Sequence, residues 1–515
     1  MKTFAQTALI VLDGWGHRED PEDNAVSAAK KPFFDKIWRE YPHTLLEASG
    51  LHVGLPRGQM GNSEIGHTTI GAGTVIDTDL VRIKKSIESG EFARIPAFKK
   101  LFDHVKKNGS TLHAKGLIGN GGVHAHQDHL VAFVQAAKDA GIRQVAIHAY
   151  TDGRDTPPQS SAQFLRELES DLEKIGIGFI ATATGRFYAM DRDNNWDRVK
   201  KAEEALFECK GNVCEPGEIP SEVISRLHAK GALDEHLEPV VFLDKSGKSY
   251  PIRSGDAAFF FNFRADRARQ ISKKTIERAA KENIAFATLT EYDKTFGCEV
   301  AFPPRIIETT LAKEISAAGM TQAHIAETEK FPHATYFMNG GVEKPYPGER
   351  HLLLESRKDV KTHDQAPEMR AEAIADKAIE EIEAGANFIF INFANPDMVG
   401  HTANVAAIVK AVETVDAQLK RVVEALVKRG GVAFVTADHG NAELNIDPAT
   451  GEKHTAHTIN PVPAIITSAA VKFTKRQLAH APQGVTGGLA DIAPTMLALL
   501  GIKKPAVMTG ANLVS

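Results

Sequence analysis

Short apolar, β-branched runs alternate along the chain with amphipathic stretches. Runs at 8–12, 112–118, 144–150, 178–183, 257–262, 285–289, 322–326, 387–393, 432–436 and 463–467 predict strands. Continuous apolarity over this length suits strands covered on both faces, as in a parallel sheet. Between them the period changes to that of a helix. Val405, Ile408, Val409, Val412, Val415, Leu419, Val422, Val423 and Leu426 recur at i, i+3, i+4, i+7 spacing and predict a helix over Val405–Lys428, closed by Gly430-Gly431. Another is predicted over Ser161–Ile175, opening after Pro157-Pro158 with Ser160 or Ser161 as cap and ending at Gly176. Residues between Pro216 and Pro251 read as irregular, and Phe302-Pro303-Pro304 as a stiff hinge. Strand and helix alternate on both sides of that hinge. The fold class expected is therefore α/β, with two mostly parallel sheets flanked by helices.

Polar residues collect where the apolar runs stop. The run at 432–436 ends in Asp438-His439-Gly440-Asn441, and the run at 8–12 ends in Asp13-Gly14. Open α/β sheets bind ligands beyond the carboxyl ends of their strands. Asp438 and His439 reach one point only if the backbone turns, a turn that Gly440 would permit. After the run at 387–393, Asp397 and His401 stand four apart, so a helical turn puts them on one face. His457 precedes the rigid Asn460-Pro461-Val462-Pro463 entry into the last of these runs. Two carboxylates and three imidazoles without a thiol suit a divalent ion such as Mn²⁺, with Zn²⁺ as an alternative. They are too many ligands for one four-coordinate ion. Two ions account for them better, and Asp13 and Ser63 could complete the second set. Paired ions imply phosphoryl or related transfer, with Ser63 as the natural nucleophile. Ser63 also reads as the cap of a helix starting near Glu64, and both readings stand. In 58–73 glycine recurs too often for a regular helix or strand, which implies backbone held close to a ligand.

The totals narrow the class further. A chain of 515 residues divides into roughly two to four domains. A net charge of −5 and the lack of a basic arm argue against nucleic acid as a partner. Cys209, Cys214 and Cys298 form no CxxC pair, so a reducing compartment is expected. The first residues turn acidic too soon for a signal peptide, and no apolar run reaches the ~20 residues that span a bilayer. A cytoplasmic protein that takes a small molecule, without membrane or nucleic acid, is expected.

Three stretches carry a resemblance: Met60-Gly61-Asn62-Ser63-Glu64-Ile65-Gly66-His67, residues 395–402, and residues 436–443. With them the chain resembles the cofactor-independent phosphoglycerate mutases of the alkaline phosphatase superfamily, nearly end to end as far as Met508-Thr509-Gly510. The resemblance implies interconversion of 3- and 2-phosphoglycerate through a phosphorylated Ser63, with no bisphosphoglycerate. It assigns Asp397, His401 and His457 to one manganese and Asp13, Ser63, Asp438 and His439 to the other, with Mg²⁺, Co²⁺ or Zn²⁺ as possible substitutes. It places Lys330 beside the serine. It also implies an alkaline-phosphatase-like metal domain (1–79 and 305–515) interrupted by a substrate domain (80–304), and a monomer. That layout agrees with the residues, since Asp13 and Ser63 must meet groups beyond 390.

Within the expected insert, Thr151-Asp152-Gly153-Arg154-Asp155-Thr156, the stretch 185–193, and Asn262-Phe263-Arg264-Ala265-Asp266-Arg267 each follow a predicted strand. Their arginines should gather at one sheet edge, where a guanidinium grips phosphate or carboxylate with two prongs. The resemblance gives Arg154, Asp155, Arg186, Arg192, Arg264, Arg267 and His124 to substrate, with Asp155 moving the hydroxyl proton. Gly119-Asn120 and Ala125 depart from the family's usual Ser-Asp and Ser around His124. Two other readings remain at this point: a metal-dependent phosphatase or phosphopentomutase on the same metal domain, and a metal-stabilised binding protein that captures phosphorylated ligands.

Overall fold

Val432–Thr436 is a strand in which every residue is buried, and it pairs in parallel with Thr7–Leu12, also wholly buried. This computed structural model describes residues 2–474, 478, 481 and 484–515. Among them the first sheet runs Glu349–Leu354, Gln322–Glu327, Phe388–Phe393, Thr7–Leu12, Val432–Thr436, Val462–Ile466, His43–Glu47, Val485–Gly488. Its first five strands are parallel, while Val462–Ile466 runs antiparallel to both neighbours. The second sheet runs Glu299–Phe302, Ala285–Thr290, Ala257–Phe260, Leu112–Leu117, Val145–Thr151, Phe179–Gly185, Val240–Val241, Asn212–Val213. All its pairs are parallel except Phe179–Gly185 with Val240–Val241.

Each sheet has its own core and its own unit: Met1–Thr78 with Ile306–Ser515 around the first, Asp79–Arg305 around the second. In the first unit the helix Val405–Lys428 buries Ile408, Val412, Val415, Leu419, Val422 and Leu426 along one face. Asn404 caps it by accepting from the Ala407 N–H.

Several expectations need correction. Ser161–Ile175 is a helix, but neither serine side chain caps it. The buried Asp234 carboxylate accepts from the Ser161 N–H at 2.8 Å instead. The stretch between Pro216 and Pro251 contains the helix Pro220–Ala229, because a proline at the first helical position costs no hydrogen bond. The glycine-rich stretch forms a regular helix, Ser63–Ala72, capped by the Asn62 side chain rather than by Ser63. Its glycines serve close packing: a Cβ on Gly71 would lie 2.0 Å from the Met338 carbonyl oxygen. Gly440 likewise answers to space, since a Cβ there would lie 2.3 Å from Thr458 Oγ1 and 2.4 Å from Glu443 Oε1.

Candidate metal centre and anion site

The carboxyl ends of three neighbouring parallel strands set the first cluster. Asp13 follows Thr7–Leu12, Asp438 follows Val432–Thr436, and Asp397 lies in the short helix Asn395–Gly400 after Phe388–Phe393. All three carboxylates are buried. The helix Ser63–Ala72 brings Ser63 to them at its first turn, and a turn after Gln322–Glu327 brings Lys330.

One group that could hold a metal ion comprises Asp397, His401 and His457. Their facing atoms are mutually close: His401 Nε2 to Asp397 Oδ1 is 3.3 Å, His457 Nε2 to the same oxygen 3.2 Å, and the two Nε2 atoms 3.2 Å apart. Three atoms each about 2.0–2.2 Å from one ion would stand at this kind of separation. The opposite ring nitrogens donate to backbone, His401 Nδ1 to Thr455 O at 2.8 Å and His457 Nδ1 to Gly61 O at 2.9 Å. Both rings are thus held with Nε2 facing inward, where the neutral imidazole would offer its lone pair to a metal. His401 is 42% exposed, so this set lies at the solvent side.

The second set is deeper. Ser63 Oγ lies 2.9 Å from His439 Nε2 and 3.3 Å from Asp13 Oδ1, and His439 Nε2 lies 3.5 Å from Asp438 Oδ2. Asp438 Oδ2 is buried, and the nearby His67 Nδ1, at 3.2 Å, gives its hydrogen to the Ser63 carbonyl at 2.8 Å, which leaves lone pairs on Oδ2 for a cation. Lys330 Nζ donates to Ser63 Oγ at 2.5 Å, Asp397 Oδ2 at 2.6 Å and Asp13 Oδ1 at 2.7 Å. Burial disfavours this ammonium, but Asp13, Asp397 and Asp438 outweigh burial and raise its pKa. Burial raises the carboxylates too. Lys330, His401 and His457 still hold Asp397 well below its usual range, and His439, His67 and Lys330 hold Asp438 low. Asp13 is left raised, by burial and then by Asp438. The centre is short of positive charge, and divalent ions fit it on charge as well as on geometry.

In the second unit, His124, Arg154, Asp155, Arg186, Arg264 and Arg267 follow four adjacent strands at one sheet edge: Ala257–Phe260, Leu112–Leu117, Val145–Thr151 and Phe179–Gly185. Arg186 donates to Asp152 and to Asp155, each at 2.6 Å. Asp266 accepts from Arg192 at 2.9 Å and lies 3.0 Å from Arg264 Nε. Arg267 donates to Met190 O at 3.3 Å, and burial together with Arg192, Arg186 and Arg154 lowers its pKa. Arg154 is half exposed and lies 3.7 Å from Glu235. His124 is buried, and burial followed by Arg186 pushes it down to about 4. Its carbonyl accepts from Phe263 N at 2.8 Å and Arg264 N at 3.3 Å, which ties it to the arginine loop although Gly119-Asn120 and Ala125 flank it.

Residues 5–504 match the model of the Metalloenzyme superfamily. The chain is 46% identical to a 2,3-bisphosphoglycerate-independent phosphoglycerate mutase of Listeria welshimeri, over 98% of each chain. It is 45% identical to the protein of that name from Clostridioides difficile, over 99% of each. The chain belongs to this mutase family. A crystal structure of Leishmania mexicana phosphoglycerate mutase, obtained at low cobalt concentration, superposes with a TM-score of 0.55 at 29% identity, covering 100% of this chain and 98% of that one.

The mutase fold brings Asp13, Ser63, Lys330, Asp397, His401, Asp438, His439 and His457 together in one unit, and gathers His124, Asp155 and the arginines in the other. Sequence reasoning missed four buried groups around the candidate ligands. His67 Nδ1 lies 3.2 Å from Asp438 Oδ2, and Asn392 donates to Asp13 Oδ2 at 2.8 Å. Asn441 donates to Asp397 Oδ1 at 2.8 Å. Glu443 accepts from Gly16 N at 3.0 Å, Asn441 N at 2.9 Å and Asn460 Nδ2 at 2.9 Å, which joins three loops. Asn392 had a visible signal, being a lone amide inside the apolar run Phe388–Phe393. Asp152 and Asp266 partner the arginines around them.

Proposed function

We propose that this chain interconverts 3-phosphoglycerate and 2-phosphoglycerate through a phosphorylated Ser63, at a pair of divalent ions held by Asp397, His401 and His457 and by Asp13, Ser63, Asp438 and His439. The placing of the Ser63 hydroxyl among Lys330, His439 and Asp13 carries this reading. When bound, the ions would favour the Ser63 alkoxide and draw charge from the transferring phosphoryl group. Lys330 donates to Oγ, and the hydroxyl proton points to Asp13 Oδ1, which would take it. The ammonium then steadies the negative oxygen as it bonds to phosphorus and the glycerate oxygen leaves. The first turn of Ser63–Ala72 favours the incoming phosphate with its free N–H groups.

Retaining the glycerate is what separates a mutase from a phosphatase. Arg154, Arg186, Arg192, Arg264 and Arg267 are suited to hold its carboxylate and the phosphate. Asp155, bonded to Arg186, would take the proton from one hydroxyl and return it to the other, with His124 and Lys330 completing the substrate contacts. In this reading residues 1–79 and 305–515 form the metal-binding domain and 80–304 the substrate domain. A donor set of oxygen and imidazole suits Mn²⁺, and Mg²⁺, Co²⁺ or Zn²⁺ would compete. The same reading takes the enzyme as a cytoplasmic monomer, where Cys209, Cys214 and Cys298 can stay free.

A phosphorus NMR assay on 3-phosphoglycerate with Mn²⁺ and no bisphosphoglycerate tests it. The 2-phosphoglycerate resonance should appear, and Ser63→Ala should abolish it while ions still bind. Free phosphate in place of the isomer would overturn the mutase reading in favour of a hydrolase.

A further inference from the structure

The metal carboxylates and the serine are joined by a second circuit that the transfer chemistry does not itself use. The Ser63 carbonyl accepts from His67 Nδ1 at 2.8 Å. His67 Nε2 lies 3.0 Å from Asn392 Nδ2, and the same amide nitrogen lies 2.8 Å from Asp13 Oδ2. Ser63 Oγ, 3.3 Å from Asp13 Oδ1, closes the ring. We propose that His67 and Asn392 are a positioning pair, which holds the Ser63 hydroxyl in register with Asp13 and so sets the rate of phosphoryl transfer. The proposal rests on Ser63 being the phosphoryl acceptor.

Donor and acceptor chemistry leaves the ring one arrangement. An amide nitrogen only donates, and Asp13 only accepts when ionised. Asn392 therefore turns its nitrogen toward both Asp13 and His67, spending one hydrogen on each. His67 Nε2 must then be the bare nitrogen, and Nδ1 carries the hydrogen given to the Ser63 carbonyl. Asn392 Oδ1 is buried without a partner, the cost of this orientation. His67, Asn392 and Asp13 are each 0% exposed, so no water substitutes for a lost link. The His67 ring is held edge-on to Phe390 at 5.9 Å and tilted to His333 at 5.6 Å. With Asp13 Oδ2 engaged by the amide, Oδ1 is the oxygen turned to Ser63 and Lys330. Either side chain alone would be an ordinary satisfied core residue. The closed path back to the same serine singles them out.

The test uses the full-length protein with Mn²⁺ and the variants His67→Phe, Asn392→Leu, their double, His67→Gln and Ser63→Ala. His67→Phe and Asn392→Leu should each lower kcat about 100-fold, the cost of misplacing a reacting group by an ångström or so, with KM for 3-phosphoglycerate within about twofold. A ring opened at one point is already open, so the double should be no slower than the slower single. Calorimetric titration should find two Mn²⁺ per chain, bound about 10- to 100-fold more weakly in each single. His67→Gln, which keeps an acceptor for Asn392, should recover part of the rate. Singles within about twofold of the parent kcat would overturn the pairing, as would a double that multiplies two independent losses. If His67→Phe fails to fold, Asn392→Leu decides alone: a kcat within about twofold of the parent overturns the pairing. Turnover in Ser63→Ala would sink the reading of Ser63 itself. An inactive Ser63→Ala beside fully active pair variants would sink the positioning pair alone.

Discussion

Asp13 and Asp397 pair with the ammonium of Lys330, which is 3% exposed, and Asp438 acts on it through its charge. Burial, and then the neighbouring Asp438 carboxylate, push Asp13 up, because one ammonium does not balance three buried carboxylates. Removing one partner of a buried pair leaves an uncompensated charge, at a cost of about 3–5 kcal/mol. Lys330→Met should therefore lower the melting temperature of the metal-free protein sharply. Mn²⁺ should restore more stability to the variant than to the parent, because it meets more uncompensated charge. Scanning calorimetry with and without the ion checks this, and a metal-free variant that melts like the parent would contradict it. Single residues were unevenly legible. Asp397 with His401, and Asp438 with His439, show in the chain because helical or adjacent spacing pairs them. Lys330 follows Glu327-Thr328-Glu329 and reads as part of a solvated polar turn. Only the turn after a strand carries it inward, and only the family likeness located it beforehand.

Among elements, the helix Ser63–Ala72 shows how a correct observation led to the wrong expectation. Its glycines do weaken a helix, by up to about 1 kcal/mol each relative to alanine. Yet the helix forms, because Asn62 caps its start, Gly73 in left-handed conformation closes it, and neighbouring backbone covers it. A Cβ on Gly66 would lie 2.9 Å from the Asp438 carbonyl oxygen and 3.0 Å from its Cβ. Gly66→Ala thus has two opposed effects: better helix propensity, and a contact that pushes Ser63's helix away from Asp438, a proposed metal ligand. Overpacking typically costs about 1–3 kcal/mol, so the contact wins. The variant should bind Mn²⁺ more weakly and lose far more activity than stability. Gly71→Ala, at 2.0 Å from the Met338 carbonyl, should lose stability instead. Equal metal affinity in Gly66→Ala and the parent would refute this. Strands were the most legible elements, because continuous apolar runs give them away: 432–436 is observed at those limits, and 112–118 one residue shorter as Leu112–Leu117. Where prolines crowd, as around Pro220, the same reading failed. A proline that opens a helix looks locally like one that prevents it.

Across the whole molecule, buried titratable groups make pH act on stability in opposite directions, and burial holds His333 of the first unit down to about 3, in the same sense as the histidines of the second. In Asp79–Arg305, burial holds His148 well below the ordinary imidazole value, His129 down to about 3 and His124 down to about 4. The unfolded chain regains the ordinary value of 6.5 and takes up protons that the folded unit refuses. Stability from these groups is complete above pH 6.5 and falls as the pH drops toward 4. In the other unit, burial raises Glu327 to about 7, so the folded protein keeps a proton that the unfolded chain has released above about 4.5. That contribution is complete at low pH and is lost as the pH rises through 7. Neither effect could be read from sequence, since both depend on which polar residues the fold leaves without water. Hydrogen exchange of the metal-free protein, resolved by peptide and corrected for intrinsic rates, separates the units. Protection in Leu112–Leu117 and Val145–Thr151 should fall between pH 6.5 and 4.5. Glu327→Gln should raise protection of Gln322–Glu327 above pH 7 and leave it unchanged near pH 4.5. A second unit equally protected at pH 4.5 and 7 would mean that its histidines ionise freely, against the burial seen for each.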